Sequence, residues 1–382
     1  MNSGGFDVIV GNPPYAEFPK DLDRSLLRRT FKTALERWSR DEDLYTLVVE
    51  RSLKIMKSDS AQFGMILPLS VSFSTKRPYS ELRKILSKEG TLASWSHFDR
   101  IPNALFGNEV RTRCTIALFS RAQSSSRRRI TTALQRWNFA SRDALCATLK
   151  YSLFDVEILA RIPKLGSEMQ ARTLEKLISR KLPLGMDLRD SVPFPSLAAA
   201  APNFPLNAVF VGGTAYNWFP AWRDIPETTD ASGYPSLPAR TAGYRFATQD
   251  EANIVFALLC SSLGYWWWSV ASDGFNLKKW LMECFPVSPR MFSVESKIAI
   301  AKRGAELRFE LAKNYVFKDN KGRIGNYFLP GCAAQIISID DAIERSGIGI
   351  EPGFFADIRE HNAIFSRSGL ASDTEDELDT DE

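Results

Sequence analysis

The stretch FDVIVGNPPY at residues 6–15 decides how the amino-terminal part of the chain folds. Its first five residues form a short run rich in β-branched side chains, which is typical of a buried strand. Gly11, Pro13 and Pro14 end that run, because glycine and proline interrupt regular structure. The stretch therefore predicts a strand that leads into a rigid loop.

The segments that follow predict alternating strands and helices. This order is typical of an α/β layer with a mostly parallel sheet. Open sheets of this kind bind ligands at the carboxyl ends of their strands, and the loop at residues 12–15 lies at such an end. The predicted helices are residues 20–38, 41–57 and 79–88, and the further strands are residues 63–69, 91–98 and 111–120.

The α/β alternation fades at the polar, basic connector QSSSRRR of residues 123–129, where a domain boundary belongs. Recurrent prolines and aromatic residues beyond it indicate an irregular, loop-rich region. A helix at residues 249–263, a strand at 265–270 and a long amphipathic helix at 294–313 complete the prediction. The expected parts are a first domain at residues 1–122, a connector region at 123–192, a second domain at 193–366 and an acidic tail at 367–382.

The composition of the 382 residues, 44% hydrophobic and 25% charged, is that of a globular protein with buried cores. Five dispersed cysteines without a CxxC pair and only two histidines argue against a zinc site or a disulfide framework. The first residues lack a secretory signal, so we expect a cytoplasmic protein. Residues 252–271 are uncharged over the length of a membrane span, but their polar residues favour a buried core, so no membrane partner is expected.

The charge is unevenly distributed. Residues 373–382 hold seven of the 45 acidic residues, so the rest of the chain has 49 basic residues against 38 acidic ones. A basic body suits a polyanion such as nucleic acid, and an ordinary solvated surface explains the same excess equally well. The acidic tail is typical of a disordered segment.

The chain resembles the adenine-N6 DNA methyltransferases of the gamma, TaqI-like class, which are common in restriction-modification systems. FDVIVGNPPY matches their catalytic motif, and DLYTLVVERSLKIMK, GMILPLSVSFST, ELRKIL and LFGNEVRTRCTIALF follow in the family's order. The long segment YRFATQDEANIVFALLCSSLGYWWWSVASDGFNLKKWLMECFP is similar to their target-recognition region, as IISIDDAI is more loosely. Methylases of glutamine side chains and of ribosomal RNA also carry NPPY, so the second half of the chain is what indicates DNA.

The resemblance implies an α/β fold, with an incomplete Rossmann-like methyltransferase sheet followed by an α+β target-recognition domain. It implies methyl transfer from S-adenosyl-L-methionine to an adenine that is flipped out of double-stranded DNA. The Asn12 side-chain oxygen and the Pro13 carbonyl would accept the two amino hydrogens, and the proline pair with Pro14 keeps the loop stiff. Tyr15 would stack on the flipped base, with Phe106 as a second wall, although Phe106 as an ordinary core residue is equally compatible.

Two further segments suit contacts with DNA. Arg111 and Arg113 lie beside the strand next to the expected base site and suit backbone phosphates, although a solvated strand face explains them equally well. Asn276, Lys278 and Lys279 form a polar, basic turn, and both residue types serve in phosphate and base contacts. The tryptophan run just before this turn, residues 266–268, favours core packing over base stacking.

The cofactor-binding half is where the resemblance breaks. The family holds the methionine part of S-adenosyl-L-methionine with an earlier strand and a glycine-rich turn, but only five residues precede Phe6. No such turn follows later. We therefore expect a sheet without its first strands and with an exposed apolar edge. Three explanations stay open: a separate polypeptide supplies the missing half, the start or frame of the coding sequence is wrong, or the chain is an inactive subunit that binds only DNA or a partner.

Overall fold

The computed structural model describes most of the chain in two compact units, Met1–Ala171 and Arg172–Glu382. Arg111, most of the basic connector, residues 193–205 and the acidic tail lie outside the described residues. The described ranges are residues 4–20, 23–35, 43–88, 92–106, 112–121, 128–137, 139–154, 161–188, 190–192, 206–215, 218–238, 240–319 and 322–361.

A six-stranded sheet organises the first unit. Its strands are β1 (Val8–Gly11), β2 (Gln62–Pro68), β3 (Leu92–Phe98), β4 (Cys114–Ser120), β5 (Arg128–Gln135) and β6 (Ser152–Leu153). Their order in the sheet is β1-β2-β4-β3-β5-β6. The pairs β1–β2 and β3–β5 are parallel, whereas β4 is antiparallel to both of its neighbours and β6 is antiparallel to β5. The strands predicted around residues 6–10, 63–69, 91–98 and 111–120 are thereby confirmed.

The expectation of a mostly parallel sheet is wrong in one respect, because β4 runs against the strands on either side of it. β1, β2, β3 and β5 all point in one direction. The chain returns from the end of β3 directly into β4, with Phe98 opposite Cys114, and two strands that follow each other in this way pair antiparallel. The sheet is therefore mixed, within the α/β class that the sequence predicts.

Helices of the first unit cover the sheet with regularly spaced apolar residues. Tyr45, Val49 and Leu53 follow each other at four-residue intervals, so they lie on one helix face, and all three are buried with Phe63 and Trp95 of the sheet. Burial of side chains of this size contributes about 1.5 to 3 kcal/mol each. The helices are α1 (Arg24–Thr30), α2 (Leu44–Ile55), α3 (Ser70–Phe73) and α4 (Arg77–Lys88).

The sheet continues past residue 122, where the sequence places the end of the first domain. β5 begins at Arg128 and pairs with β3. The buried ring of His97 joins three strands, because its nitrogens lie 2.9 Å from the Thr115 hydroxyl and 3.1 Å from the Thr131 hydroxyl. Burial lowers the pKa of His97 well below its ordinary value. The basic connector thus joins β4 and β5, two strands of one sheet. A polar, basic composition is common to loops within a sheet and to linkers between domains, so the composition does not distinguish the two.

The second unit combines helices with two small antiparallel sheets, which agrees with the expected α+β architecture. One sheet has the order β7 (Asp190–Val192), β12 (Ala242–Arg245), β8 (Ala208–Val211) and β9 (Ala221–Trp222). The other has the order β11 (Pro235–Ser236), β10 (Thr228–Thr229), β14 (Arg323–Tyr327) and β13 (Tyr315–Asp319). The helices are α6 (Gln249–Cys260), α7 (Ser262–Ala271), α8 (Lys279–Glu283), α9 (Val294–Leu311), α10 (Ala333–Arg345) and α11 (Phe354–His361), and α5 (Glu168–Ser179) has residues in both units.

The strand predicted at residues 265–270 is wrong, because these residues form the helix α7. Aromatic residues favour strands by propensity, but burial on all sides overrides that preference. Trp266, Trp267 and Trp268 are at most 1% exposed. The Trp267 indole donates a hydrogen bond to the Leu281 carbonyl over 2.8 Å, and Trp266 packs edge-on against Phe354. The expected core role of the tryptophan run is confirmed.

Among the described residues, no single helix has the length and hydropathy to cross a membrane. The helices α6 and α7 meet that criterion only when they are taken together, and a bend of 61° separates them. Nearly all of their side chains are buried inside the second unit.

A buried carboxyl group links α10 to the start of α7. Asp340 accepts hydrogen bonds from the Ser262 backbone N–H over 3.0 Å and from the Ser262 hydroxyl over 2.6 Å. The Arg359 guanidinium lies 3.6 Å away. Burial raises the pKa of Asp340 to about 7, and these hydrogen bonds and Arg359 offset only part of the effect. The group thus caps a core helix and carries a titration near neutral pH.

We predict that Asp340→Asn makes stability less dependent on pH. The ordinary pKa of this carboxyl is 3.8, so between about pH 4 and pH 7 the folded protein holds a proton that the unfolded chain has lost. The stabilisation that protonated Asp340 gives the folded state is therefore complete below about pH 4, and it is lost as the pH rises through 7. Asparagine keeps an acceptor for the Ser262 N–H without ionising, so its advantage over the wild type grows with pH by up to about 4 kcal/mol.

Urea unfolding at about pH 4, 6 and 8 measures this difference. Asp341→Asn removes the same charge from the next, partly exposed position of α10 and serves as the matched control. Parallel pH profiles for the wild type and Asp340→Asn contradict the assignment.

Candidate active site

The geometry of β1 and of the loop that follows it locates the candidate site. Gly11 at the end of β1 is paired with Met65 of β2. The next residues leave the sheet at its carboxyl edge, where Asn12 and Pro14 are exposed and Pro13 is buried. Within the described part of the chain, neither the Asn12 side chain nor the Pro13 carbonyl has a hydrogen-bond partner. Two acceptor oxygens of the loop are thus unengaged.

Tyr15 closes the loop and is fixed to the sheet. Its hydroxyl donates to the Ile66 carbonyl of β2 over 3.2 Å, and its ring meets Tyr45 edge-on at 6.4 Å between centroids. Burial, together with the neighbouring Cys114 thiol, raises the pKa of Tyr15 above its ordinary value. Burial also raises the pKa of Cys114, to about 11. Both groups are therefore neutral near pH 7, and the ring is held in place by contacts on two strands.

The carboxyl ends of β1, β2, β3 and β5 lie along one edge of the sheet, because these strands run in the same direction. The connection from β3 to β4 begins and ends at this edge, and Phe106 lies in it with 40% of its surface exposed. The structure therefore brings Phe106 and the loop of residues 12–15 to the same edge. In the described part of the chain no ring contact joins Phe106 to Tyr15, so its role as a second wall stays a prediction.

A buried carboxylate at the same edge engages Arg113. Asp99 is 1% exposed, and it accepts from Arg113 Nε over 2.7 Å and from Arg136 Nε over 3.0 Å. Burial disfavours its charged form, but the two guanidinium groups and the Arg100 backbone N–H outweigh this and hold the pKa of Asp99 below its ordinary value. A charge buried in this way needs its counter-ions.

This geometry argues against the phosphate contact expected of Arg113. Its side chain is 13% exposed and neutralises Asp99. The sequence around Arg113 does not indicate this ion pair, because Asp99 lies fourteen residues earlier in the chain. Arg111 lies outside the described residues, so its expected role stays a prediction.

The three residues predicted to bind DNA in the second unit lie together at the start of α8. Asn276 donates through its amide nitrogen to Asp273 over 2.7 Å and accepts from Arg240 over 3.2 Å. Lys278 and Lys279 are exposed, and Lys279 lies 3.2 Å from Glu283 in a surface ion pair. Surface pairs of this kind contribute little to stability and do not prevent a contact with another anion.

Sequence reasoning missed two residues beside these sites, Cys114 under the Tyr15 hydroxyl and Arg240 next to Asn276. Both contacts join residues far apart in the chain, so no local pattern indicates them. Among the described residues, no three histidine, cysteine or acidic side chains converge on a metal position.

The edge strand β1 presents apolar side chains to solvent. Val8 and Val10 of β1, and Phe6 just before it, are 59%, 76% and 58% exposed, which confirms the expected apolar edge. The prediction that this strand is buried is wrong, because β1 pairs with β2 on one side and ends the sheet on the other. The residues just before β1 include two glycines, and one of them leaves no room for S-adenosyl-L-methionine. A side chain added at Gly5 would meet the Lys57 backbone nitrogen at 2.9 Å, so Gly5 packs against the chain itself and offers no cradle for a ligand, whereas Gly4 lies in open space.

Comparison with known proteins finds matches to the amino-terminal part of the chain. Residues 1–102 match the family model of the Eco57I restriction-modification methylase. Over 120 residues, which are 30% of this chain, the sequence is 34% identical to the type II restriction enzyme and methyltransferase RM.Eco57I of Escherichia coli. That match covers 11% of the length of the Escherichia coli protein. The first part of the chain is thus similar to a methylase of a restriction-modification system.

Two solved structures align with nearly the whole chain at low similarity. The type IIL restriction-modification enzyme MmeI, solved in complex with DNA, has a TM-score of 0.48 and 12% identity over 95% of this chain and 57% of its own. A DrdV–DNA complex has a TM-score of 0.40 and 11% identity over 97% of this chain and 56% of its own. Values at this level assign no activity.

We predict that Arg113→Ala lowers stability and, if the chain binds DNA, leaves the salt dependence of that binding unchanged. The substitution removes one of the two arginines of a buried carboxylate, which costs about 2 kcal/mol of unfolding free energy. Urea unfolding measures that loss. A contact to phosphate would add about 0.9 to the slope of log K against log salt. A shallower slope in the folded variant is therefore the result that restores Arg113 as a DNA contact.

Proposed function

We propose that this chain is part of a site-specific DNA methyltransferase of a restriction-modification system, which acts on adenine N6 in double-stranded DNA. S-adenosyl-L-methionine would supply the methyl group. The observation that carries the proposal is the NPPY loop at the carboxyl end of β1, where two acceptor oxygens are unengaged and the adjoining tyrosine is fixed. The match of residues 1–102 to a restriction-modification methylase supports it.

The chemistry of an adenine amino group requires acceptors of this kind. Its lone pair is delocalised into the ring, so the nitrogen is a poor nucleophile, and a general base does not readily correct that. The Asn12 side-chain oxygen and the Pro13 carbonyl accept its two hydrogens, which draws the nitrogen toward a tetrahedral geometry. They also stabilise the positive charge that grows on it during attack. The fixed backbone of Pro13 and Pro14 keeps these acceptors oriented beforehand.

A base inside a duplex does not reach this loop, so the target adenine is flipped out of the helix. Unstacking costs a few kcal/mol, and stacking on an aromatic side chain returns about 1 to 3 kcal/mol. Tyr15 supplies that ring, because its hydroxyl bond to Ile66 holds the ring in place before the base arrives. Phe106, exposed at the same edge of the sheet, is the second wall in this proposal.

In this proposal a separate polypeptide supplies most of the residues that bind the cofactor. The apolar, unpaired side of β1 is the surface on which further strands of the sheet would add. Strand edges and apolar patches of this kind are otherwise aggregation sites. The second unit, with its exposed Lys278 and Lys279, supplies contacts to the DNA.

An inactive subunit that binds only DNA or a partner is the alternative, and one experiment distinguishes the two. We predict that the isolated chain binds S-adenosyl-L-methionine weakly or not at all in calorimetry. Mixing it with the product of the gene upstream is expected to restore methylation of adenine in duplex DNA. Tight binding by the isolated chain contradicts the divided cofactor site. Duplex binding without methylation in the mixture supports the inactive subunit.

We predict that Asn12→Ala lowers turnover in the active mixture by about a hundredfold to a thousandfold, the usual effect of removing one hydrogen-bonding group that acts on the transition state. Duplex affinity is expected to stay within about twofold, because the side chain acts on one amino group and DNA contacts are distributed over many residues. Single-turnover methylation and a binding titration measure the two quantities.

Glu17→Gln is the matched control, since Glu17 is exposed two residues beyond Tyr15 and takes no part in the proposed reaction. Its turnover is expected to equal that of the wild type. Unchanged turnover in Asn12→Ala overturns the role given to Asn12.

A further inference from the structure

Arg240 occupies a backbone position that ordinarily belongs to glycine. The Pro238 carbonyl accepts from the Thr241 backbone N–H over 3.3 Å and from its hydroxyl over 2.7 Å, which fixes Thr241 in place. Arg240, the residue before Thr241, has φ of +57°. Glycine and asparagine are favoured at turn positions with positive φ, and a long side chain there is disfavoured. Strain that is kept in this way is a pointer to function.

The other described non-glycine residue with positive φ has an ordinary explanation. Lys181, with φ of 54°, follows the end of α5, and its N–H donates to the Ile178 carbonyl. A left-handed residue at that place is a common helix ending. Arg240 does not follow a helix, so its positive φ needs another explanation.

The neighbouring chain is shaped to accommodate the Arg240 side chain. A Cβ atom at Gly213 would lie 2.3 Å from Arg240 Cβ and 3.1 Å from its Cδ, so the stem of the arginine lies directly over a residue that has no side chain. Gly213 is fixed in turn, because its carbonyl accepts from the Leu277 N–H over 2.9 Å. The stem of the arginine therefore lies against a fixed backbone segment.

A chain of hydrogen bonds orients the guanidinium. Asp273 accepts from the backbone N–H groups of Phe275 and Asn276 over 2.9 and 2.6 Å, and from the Asn276 amide over 2.7 Å. The Asn276 oxygen then accepts from Arg240 Nη1 over 3.2 Å. Among the described residues this is the one hydrogen bond of the Arg240 side chain, so four of its five N–H donors stay uncommitted on an exposed residue.

We propose that Arg240 is a contact to the phosphate backbone of DNA, with Asn276 as its positioning residue. The inference rests on the proposed function, since it assumes a DNA duplex as the partner. An exposed guanidinium with most of its donors free matches the paired oxygens of a phosphate. Lys278, two residues beyond Asn276 and also exposed, adds positive charge to the same turn.

The test is Arg240→Gly in the full chain, because glycine relieves the turn while it removes the guanidinium. A mixed-sequence DNA duplex is the probe, and its dissociation constant is measured between about 50 and 200 mM salt. We expect binding about threefold to tenfold weaker at the lowest salt, and a slope of log K against log salt that is shallower by about 0.9. The urea midpoint is expected to stay equal or to rise.

Lys181→Gly is the matched control, since it removes one exposed cation and relieves one positive φ elsewhere in the chain. It is expected to leave the salt slope unchanged. Unchanged binding by Arg240→Gly overturns the inference, and so does a lower urea midpoint with normal binding, which would make the arginine purely structural. Weaker binding with an unchanged slope indicates a base contact and overturns the phosphate assignment. Failure of the wild type to bind any duplex overturns the proposed function itself, and this inference with it.

Discussion

The parallel pairing of β1 with β2 is the constraint on which the candidate active site depends. It fixes the direction in which the chain leaves the sheet at Gly11, opposite Met65. One residue further along β2, the Ile66 carbonyl accepts from the Tyr15 hydroxyl, so the same strand holds both ends of the loop. The residues between them have two prolines and little freedom to move. The loop is therefore rigid because of its covalent structure and because both ends are anchored, before any ligand is present.

The reversed strand β4 completes the edge in a way that a fully parallel sheet would not. A strand parallel to β2 and β3 would begin at the opposite edge of the sheet, whereas β4 begins at the edge that carries the loop of residues 12–15. Its first residue, Cys114, therefore lies under the Tyr15 hydroxyl, and the residue before it, Arg113, reaches Asp99 at the end of β3. The start of β4 and the ends of β1, β2, β3 and β5 thus lie at the same edge of the sheet. The ion pairs of Asp99 with its two arginines stabilise this edge, because a buried carboxylate paired in this way resists displacement.

Local patterns predicted the parts of this fold that depend on local sequence. The runs that form β1 and β2, the helix from Val294 onward and the rigid loop at residues 12–15 were all indicated by apolar spacing or by proline. The errors concern contacts between distant residues. Local sequence predicts a strand for the tryptophans of α7, because their burial by Phe354 and Leu281 is a tertiary effect. Nothing in the sequence around Arg113 indicates its ion pair with Asp99.

The two proposed contact points share one physical principle, although they lie in different units and serve different parts of a DNA substrate. In each, a polar group is held by its own chain yet left without a partner for most of its hydrogen-bonding capacity. Asn12 is held by prolines and an anchored tyrosine, and Arg240 by a strained turn over Gly213. Folding alone does not favour the positive φ of Arg240, since it relaxes the backbone, whereas water satisfies the exposed Asn12 side chain until a ligand binds. A ligand that supplies the missing partners recovers that cost, and the ordering of the site has already occurred.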